Sequence, residues 1–176
     1  MSRARQRGGG ALPDSLLRLH RSGSSSLLVV GGTRTQRESA VRAFHCNSVV
    51  RGRPLVIVDC ARDDADLSWA LKMWLAVPFE LRTTTNPLRE CDQGTLYLES
   101  VGQLSLPTQR LLLLLARRIG RDEPEYTIEP APYRLAAGDG YELLDAVARG
   151  EFSGALFDAL DKVRGEIGGN LRRGAA

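Results

Sequence analysis

Four short apolar runs, spaced so that a helix-forming stretch fits between most of them, constrain this chain more than any other feature. They are Leu27-Leu-Val-Val30, Pro54-Leu-Val-Ile-Val-Asp59, Thr95-Leu-Tyr-Leu-Glu99 and Tyr133-Arg-Leu-Ala-Ala137. The first three are almost unbroken by polar residues, whereas a half-solvated strand alternates. Such runs belong to strands covered on both faces, which is the habit of parallel sheets with helices above and below. Strand and helix in alternation therefore predict a three-layer α/β domain with a mostly parallel sheet.

The intervening segments support helices. Residues 13–21, 37–46, 64–76, 106–118, 141–149 and 155–163 carry helical patterns, with Pro107 tolerated in a first turn and Arg117 and Arg118 suited to a helix C-terminus. Residues 120–132, with three prolines and several acidic residues, predict a loop. The expected organisation is a basic disordered tail over 1–12, one α/β domain over 13–167 and a flexible basic tail over 168–176.

Composition narrows the class. At 176 residues and 43% hydrophobic, the chain is long enough for one sizeable core. No apolar run approaches the roughly 20 residues that cross a bilayer, and no signal-peptide segment follows the basic N-terminus. Cys46, Cys60 and Cys91 are scattered without a metal-ligand spacing, which predicts reduced thiols and a cytoplasmic protein. The net charge of +3 is more than supplied by Arg3, Arg5, Arg7, Arg172 and Arg173 in the two tails, so any nucleic-acid contact is expected there and weak.

Chemistry is expected at two places. Gly31-Gly-Thr-Arg-Thr-Gln-Arg-Glu38 joins a strand to a helix, where a phosphate loop belongs in such a fold. Its sequence departs from the usual glycine-rich pattern ending in lysine, and on this segment alone an ordinary glycine-containing βα turn is the better reading. The second place is Glu99-Ser100 at the end of a strand. His20 and His45 have no nucleophile or metal constellation, Cys60 reads as core, and Asp63, Asp64 and Asp66 read as a solvated helix start rather than a cation site. Trp69, Leu71, Met73, Trp74, Leu75 and Phe79 read as core, part of which is available to a partner.

Five ordered segments within residues 24–165 resemble the AAA+ domain of the sigma-54-dependent transcriptional activators, a bacterial family. In the segment from Leu27 to His45, Gly31, Thr35, Glu38, Arg42, Ala43 and His45 fall on the family's G-E-S-G-T-G-K-E and A-R-A-I-H patterns. Pro54-Leu-Val-Ile-Val-Asp-Cys-Ala61 resembles P-F-V-A-V-N-C-A, and the stretch from Gly94 to Leu112 resembles G-T-L-F-L-D-E-I-G-E-L-P with its Q-x-x-L helix. Arg134-Leu-Ala-Ala137 and Ala146-Val-Ala-Arg-Gly-Glu-Phe152 resemble the sensor strand and the A-A-G-R-F segment. The resemblance implies a P-loop NTPase fold and a nucleotide site at Gly31, Gly32, Thr35, Arg37, Glu38 and Glu99, vestigial in this chain.

The departures set the functional expectation. Arg34 and Gln36 stand at two glycines of the family pattern, Arg37 at its lysine, and Ser100 at its catalytic glutamate. Asp139 falls near the sensor asparagine, while Ser153 and Ala159 occupy the positions of trans-acting arginines. Loss of general-base help costs about 10² to 10⁴ in rate, and loss of an arginine finger about 10³ to 10⁵. The G-A-F-T-G-A sigma-contacting loop has no counterpart in residues 76–85, and the helical lid is expected to be absent, the sequence ending soon after Ile167. The expectation is a pseudo-ATPase with no catalytic residues and no metal, working as a regulatory or protein-interaction module in transcription control. Its partner would be an AAA+ relative or the transcription machinery, with no membrane role. ATP or ADP with Mg would bind weakly at most; the alternative is a switch that binds nucleotide without efficient hydrolysis.

Overall fold

A computed structural model describes residues 26–76, 87–119, 132–140 and 143–168. Five strands form one sheet: β1 (Leu27–Gly31), β2 (Leu55–Asp59), β3 (Thr95–Glu99), β4 (Arg134–Asp139) and β5 (Val163–Ile167). Their spatial order is β2-β3-β4-β1-β5, and every pairing is parallel. The helices are α1 (Arg34–Cys46), α2 (Cys60–Ala76), α3 (Pro87–Glu90), α4 (Leu106–Ile119), α5 (Leu143–Ala148) and α6 (Gly154–Leu160). A short 3-10 turn, Val101–Gln103, separates β3 from α4.

Alternation along the strands sorts side chains into two cores. Leu28, Leu96, Leu98, Leu135 and Ala137 face one way, against Leu67, Leu71 and Trp74 of α2, Leu112 and Leu115 of α4, and Leu156 and Leu160 of α6. Leu27, Val29, Tyr97 and Ala136 face the other way, against Ala40, Val41 and Phe44 of α1. The sheet is thus sandwiched, which explains why its strands read as apolar runs. Arg134 is fully buried on the α1 side, its guanidinium stacked 4.5 Å from the Phe44 ring centroid.

The expected elements are largely present, with instructive differences. The 155–163 helix ends at Leu160, and Val163-Arg-Gly-Glu-Ile167 forms the edge strand β5 beside β1. Its residues alternate buried and more exposed, the pattern of an edge strand with one open flank. Helix α1 begins three residues earlier than expected, and α2 begins at Cys60, with a non-helical Asp63 that breaks its first turn. The expected helix at 13–21, residues 120–131 of the expected loop, the residues 77–85 that would bear a sigma-contacting loop, Phe79 and the tail arginines Arg3, Arg5, Arg7, Arg172 and Arg173 lie outside the described residues. No described helix is long and apolar enough to cross a membrane.

Candidate functional site

The C-terminal ends of β1 to β4 lie side by side, and in an open α/β sheet this is where ligands bind. In register, Asp59 faces Glu99, Glu99 faces Gly138, and Val30 faces Asp139. Three carboxylates therefore end three adjacent strands. Two arginines from the first turns of α1 enter among them.

Glu99 sits on the α1 face of β3, two residues beyond Tyr97, and is 1% exposed. The Tyr97 hydroxyl donates to Glu99 Oε2, and Arg37 Nη2 donates to Glu99 Oε1. Arg37 Nε adds a longer bond of 3.3 Å to Oε2. The same guanidinium turns its Nη1 toward the β1–α1 turn, donating to Gly31 O at 3.1 Å and Gly32 O at 2.9 Å. One planar fork thus joins the turn after β1 to the end of β3, as only arginine's geometry allows. Glu99 raises the Arg37 pKa chiefly through this hydrogen bond, against the opposing effect of burial. Burial, then the bond to Glu99, pushes the Tyr97 phenol well above its ordinary value.

The turn itself is short. Gly31 and Gly32 take φ of 77° and 61°, which glycine adopts without strain, and α1 then starts at Arg34. Thr33 is the N-cap, and its hydroxyl accepts from Gln36 N at 3.3 Å while Gln36 Oε1 accepts from Thr33 N at 2.8 Å. This reciprocal capping box satisfies donors within the turn. Arg34 and Gln36 are both good helix formers, which suits a helix that starts at Arg34.

The flanks are likewise paired. Arg34 Nη1 lies 2.5 Å from Asp59 Oδ2, and this bond raises the pKa of an otherwise exposed guanidinium. Asp139 accepts from Gly102 N through Oδ2 and from Gly140 N, at 2.7 Å, through Oδ1. Burial raises its pKa, and the two backbone donors oppose that rise. Ser100 adopts φ 57°, and its hydroxyl is 3.5 Å from Glu99 Oε1.

Of the residues expected at a nucleotide site, Gly31, Gly32, Arg37 and Glu99 converge. Thr35 is exposed in the first turn of α1, and Glu38 is paired along the helix with Arg42 instead. Tyr97, Asp59 and Gly138 join the cluster, although in the sequence the first two are strand residues without a chemical motif and the third carries none. The two-residue spacing from Tyr97 to Glu99 was the available signal, since it puts both on one face. Ser153 is the N-cap of α6, accepting from Leu156 N, and its own N–H donates to buried Gln109 at 2.8 Å. Asp64 accepts from Ser105 N and Asp63 from Asp59 N, so both acids tie turns together. Among the described residues no cluster of His, Cys, Asp and Glu is arranged to hold a metal. Cys60 and Cys91 are buried, and burial raises both thiols, Cys91 to about 12.

A magnesium nucleoside triphosphate does not fit this arrangement. A phosphate loop offers backbone N–H groups and a lysine to the anion. Here the turn presents two carbonyls toward Arg37, and Gln36 caps Thr33 N. Both guanidiniums are already paired, Arg34 with Asp59 and Arg37 with Glu99, so neither is turned toward an incoming polyphosphate.

The architecture has solved counterparts. NtrX from Brucella abortus, in a crystal structure with ATP, superimposes with a TM-score of 0.68 at 21% identity over 94% of this chain and 39% of that one. The P-loop NTPase domain of a sigma-54 transport activator from E. coli matches with a TM-score of 0.56 at 16% identity, over 82% of this chain and 98% of that one. The class is therefore the AAA+ type of P-loop NTPase fold. No family model matches. The nitric oxide reductase transcription regulator NorR of Aeromonas hydrophila is 30% identical over 145 residues, 77% of this chain and 27% of its own length. The sigma-54-dependent regulator SfnR of Pseudomonas fluorescens is 30% identical over 148 residues, 81% of this chain and 40% of its own length. The relatives of this chain are thus sigma-54-dependent transcriptional regulators, and it matches the AAA+ domain of such activators, spanning only about a quarter to two fifths of these relatives' length.

Proposed function

We propose that this chain is a noncatalytic AAA+-type domain that regulates bacterial transcription through protein contacts. Its role within that family is that of a pseudo-ATPase. The observation that carries this reading is the end of β3. Glu99 is the carboxylate of the strand, its oxygens accept from Arg37 and Tyr97, and the next residue is Ser100. A serine hydroxyl is a poor base at neutral pH, and Glu99, the carboxylate its hydroxyl reaches at 3.5 Å, is already taken up by Arg37 and Tyr97, which supports a site without a free general base for attack on a phosphoryl group.

A partner among related AAA+ proteins suits a domain that keeps the scaffold and lacks the chemistry. Such a domain would take a subunit's place beside an active relative, in the cytoplasm, and lower the activity of the assembly. Residues 76–85 lack the sigma-contacting G-A-F-T-G-A sequence, which favours a damping role over direct remodelling of polymerase.

The test is direct. The purified chain is assayed for phosphate release from ATP, alone and mixed with a sigma-54 regulator that retains its own ATPase. The expected result is no release by the chain alone and a fall of at least about twofold in the regulator's turnover at equal concentrations, as an inert subunit in a shared assembly would cause. Release by the chain that disappears in Glu99→Ala would sink the reading.

A further inference from the structure

We infer that Arg37 does the structural work of a bound nucleotide, locking the turn after β1 to the end of β3 so that the folded domain is complete without ligand. This deepens the noncatalytic reading of the crevice and rests on it. In a P-loop NTPase the phosphates and their metal bridge the loop and the carboxylate of the neighbouring strand. In this chain the bridge is one side chain. Its Nη1 holds Gly31 O and Gly32 O, its Nε and Nη2 hold the two oxygens of Glu99, and Tyr97 supplies a further donor to Glu99.

Three independent features of the turn point the same way. The carbonyls of Gly31 and Gly32 face the cation, so the turn is organised around a positive group where a phosphate loop is organised around an anion. Thr33 and Gln36 cap one another, consuming donors of the helix start. Arg34 spans to Asp59, which ties the helix start to β2 as well. An entering triphosphate would have to break the Arg37–Glu99 pair, bring its negative charge beside Glu99, Asp59 and Asp139, and reverse the orientation of the Gly31–Gly32 peptides. The lock therefore selects against nucleotide.

The experiment uses the full chain and four proteins: wild type, Arg37→Ala, Glu99→Gln and the double variant. Thermal midpoints are measured with and without millimolar Mg-ATP. The wild-type midpoint should move by less than about 2 °C, whereas a ligand at 100 times its Kd moves a domain of this size by about 5 °C or more. Each single variant should unfold at lower temperature, and the double variant should lose clearly less than the sum, since both remove one interaction. Should Arg37→Ala fail to fold, Arg37→Lys replaces it. A point-charge ammonium cannot hold two carbonyls and both carboxylate oxygens together, so this variant must also lose stability. A larger wild-type shift with ATP, strict additivity of the two single variants, or an unchanged midpoint for Arg37→Lys would each overturn the lock. Phosphate release is followed in the same samples. A nucleotide shift without release overturns the lock alone, and a shift with release overturns the noncatalytic reading too.

Discussion

Glu99 stands directly across the β3–β4 ladder from Gly138, and the missing side chain of Gly138 leaves the space that the Glu99 carboxylate and the Tyr97 hydroxyl occupy. A Cβ built at Gly138 would lie 2.9 Å from Glu99 Oε2 and closer still to the Tyr97 oxygen. Gly138→Ala should therefore destabilise the domain by about 1–3 kcal/mol, the usual cost of overpacking. Ordinarily Ala is favoured over Gly in a strand, so the sign is informative. Tyr97→Phe removes the nearest obstructing atom, and in that background the same Gly138→Ala change should cost clearly less. Urea unfolding of the two single variants and the double variant measures this. Equal costs in both backgrounds would show that the hydroxyl is not what the glycine accommodates.

The first turn of α1 makes a second, local prediction. Thr33 and Gln36 cap each other, so Thr33→Ala should cost about 0.5–2 kcal/mol, and Gln36→Ala should remove part of the same energy. The double variant should then be less destabilised than the sum. Hydrogen exchange at the amides of residues 34–37 should accelerate in both single variants, with the amides of Val41 and Phe44 little changed. Protection unaltered by Thr33→Ala would mean that the start of α1 is held by the Arg34 and Arg37 side chains rather than by its cap.

Acid should weaken the domain through His45. The ring is buried, with Nδ1 2.9 Å from Thr95 Oγ1, and its pKa is lowered chiefly by burial and further by Arg134 and Arg42, against a raising hydrogen bond that the ring donates to the Arg53 backbone. A histidine with a depressed folded pKa binds fewer protons folded than unfolded between that pKa and about 6.5. Stability is then full above pH 6.5 and falls as pH drops through this window, by at most about 1.4 kcal/mol per pH unit. His45→Gln, which retains a polar partner for Thr95, should flatten this part of the profile between pH 7.5 and 5.5. Parallel profiles for the two proteins would assign the acid sensitivity elsewhere.

How far the sequence discloses the structure depends on how local the cause is. Residues 95–99 read as a strand and are one, because Leu96 and Leu98 against Tyr97 divide between two cores. Strand β5 was hidden because Val163 follows a helical segment without a glycine or proline stop, and only its pairing with β1 makes it extended. The early start of α1 was hidden by the family resemblance itself, which places loop residues at Arg34 and Gln36. Their propensity and the Thr33–Gln36 box decide otherwise. The convergence of Gly31, Arg37 and Glu99 was legible as a neighbourhood. That Arg37 would fold back on Glu99, 62 residues away, was not, because a side chain's direction depends on the strand register and on the empty position at Gly138.

If the turn alone excludes nucleotide, rebuilding it should admit ATP. Arg34→Gly, Gln36→Gly and Arg37→Lys together restore the glycine and lysine positions of a phosphate loop. The change removes the reciprocal cap, frees Asp59 and Glu99 from their guanidiniums, and puts a flexible ammonium where the fork had been. The triple variant should be less stable than wild type, since each glycine in a helix start costs up to about 1 kcal/mol and the cap about as much again. Saturating Mg-ATP should recover stability, raising the midpoint by about 5 °C or more. Phosphate release should stay at background, because Ser100 still follows Glu99 and no second carboxylate has been supplied. Isothermal titration separates binding from turnover. If ATP leaves the triple variant's midpoint unmoved, the obstacle lies in the acidic row of Asp59, Glu99 and Asp139 rather than in the first turn of α1.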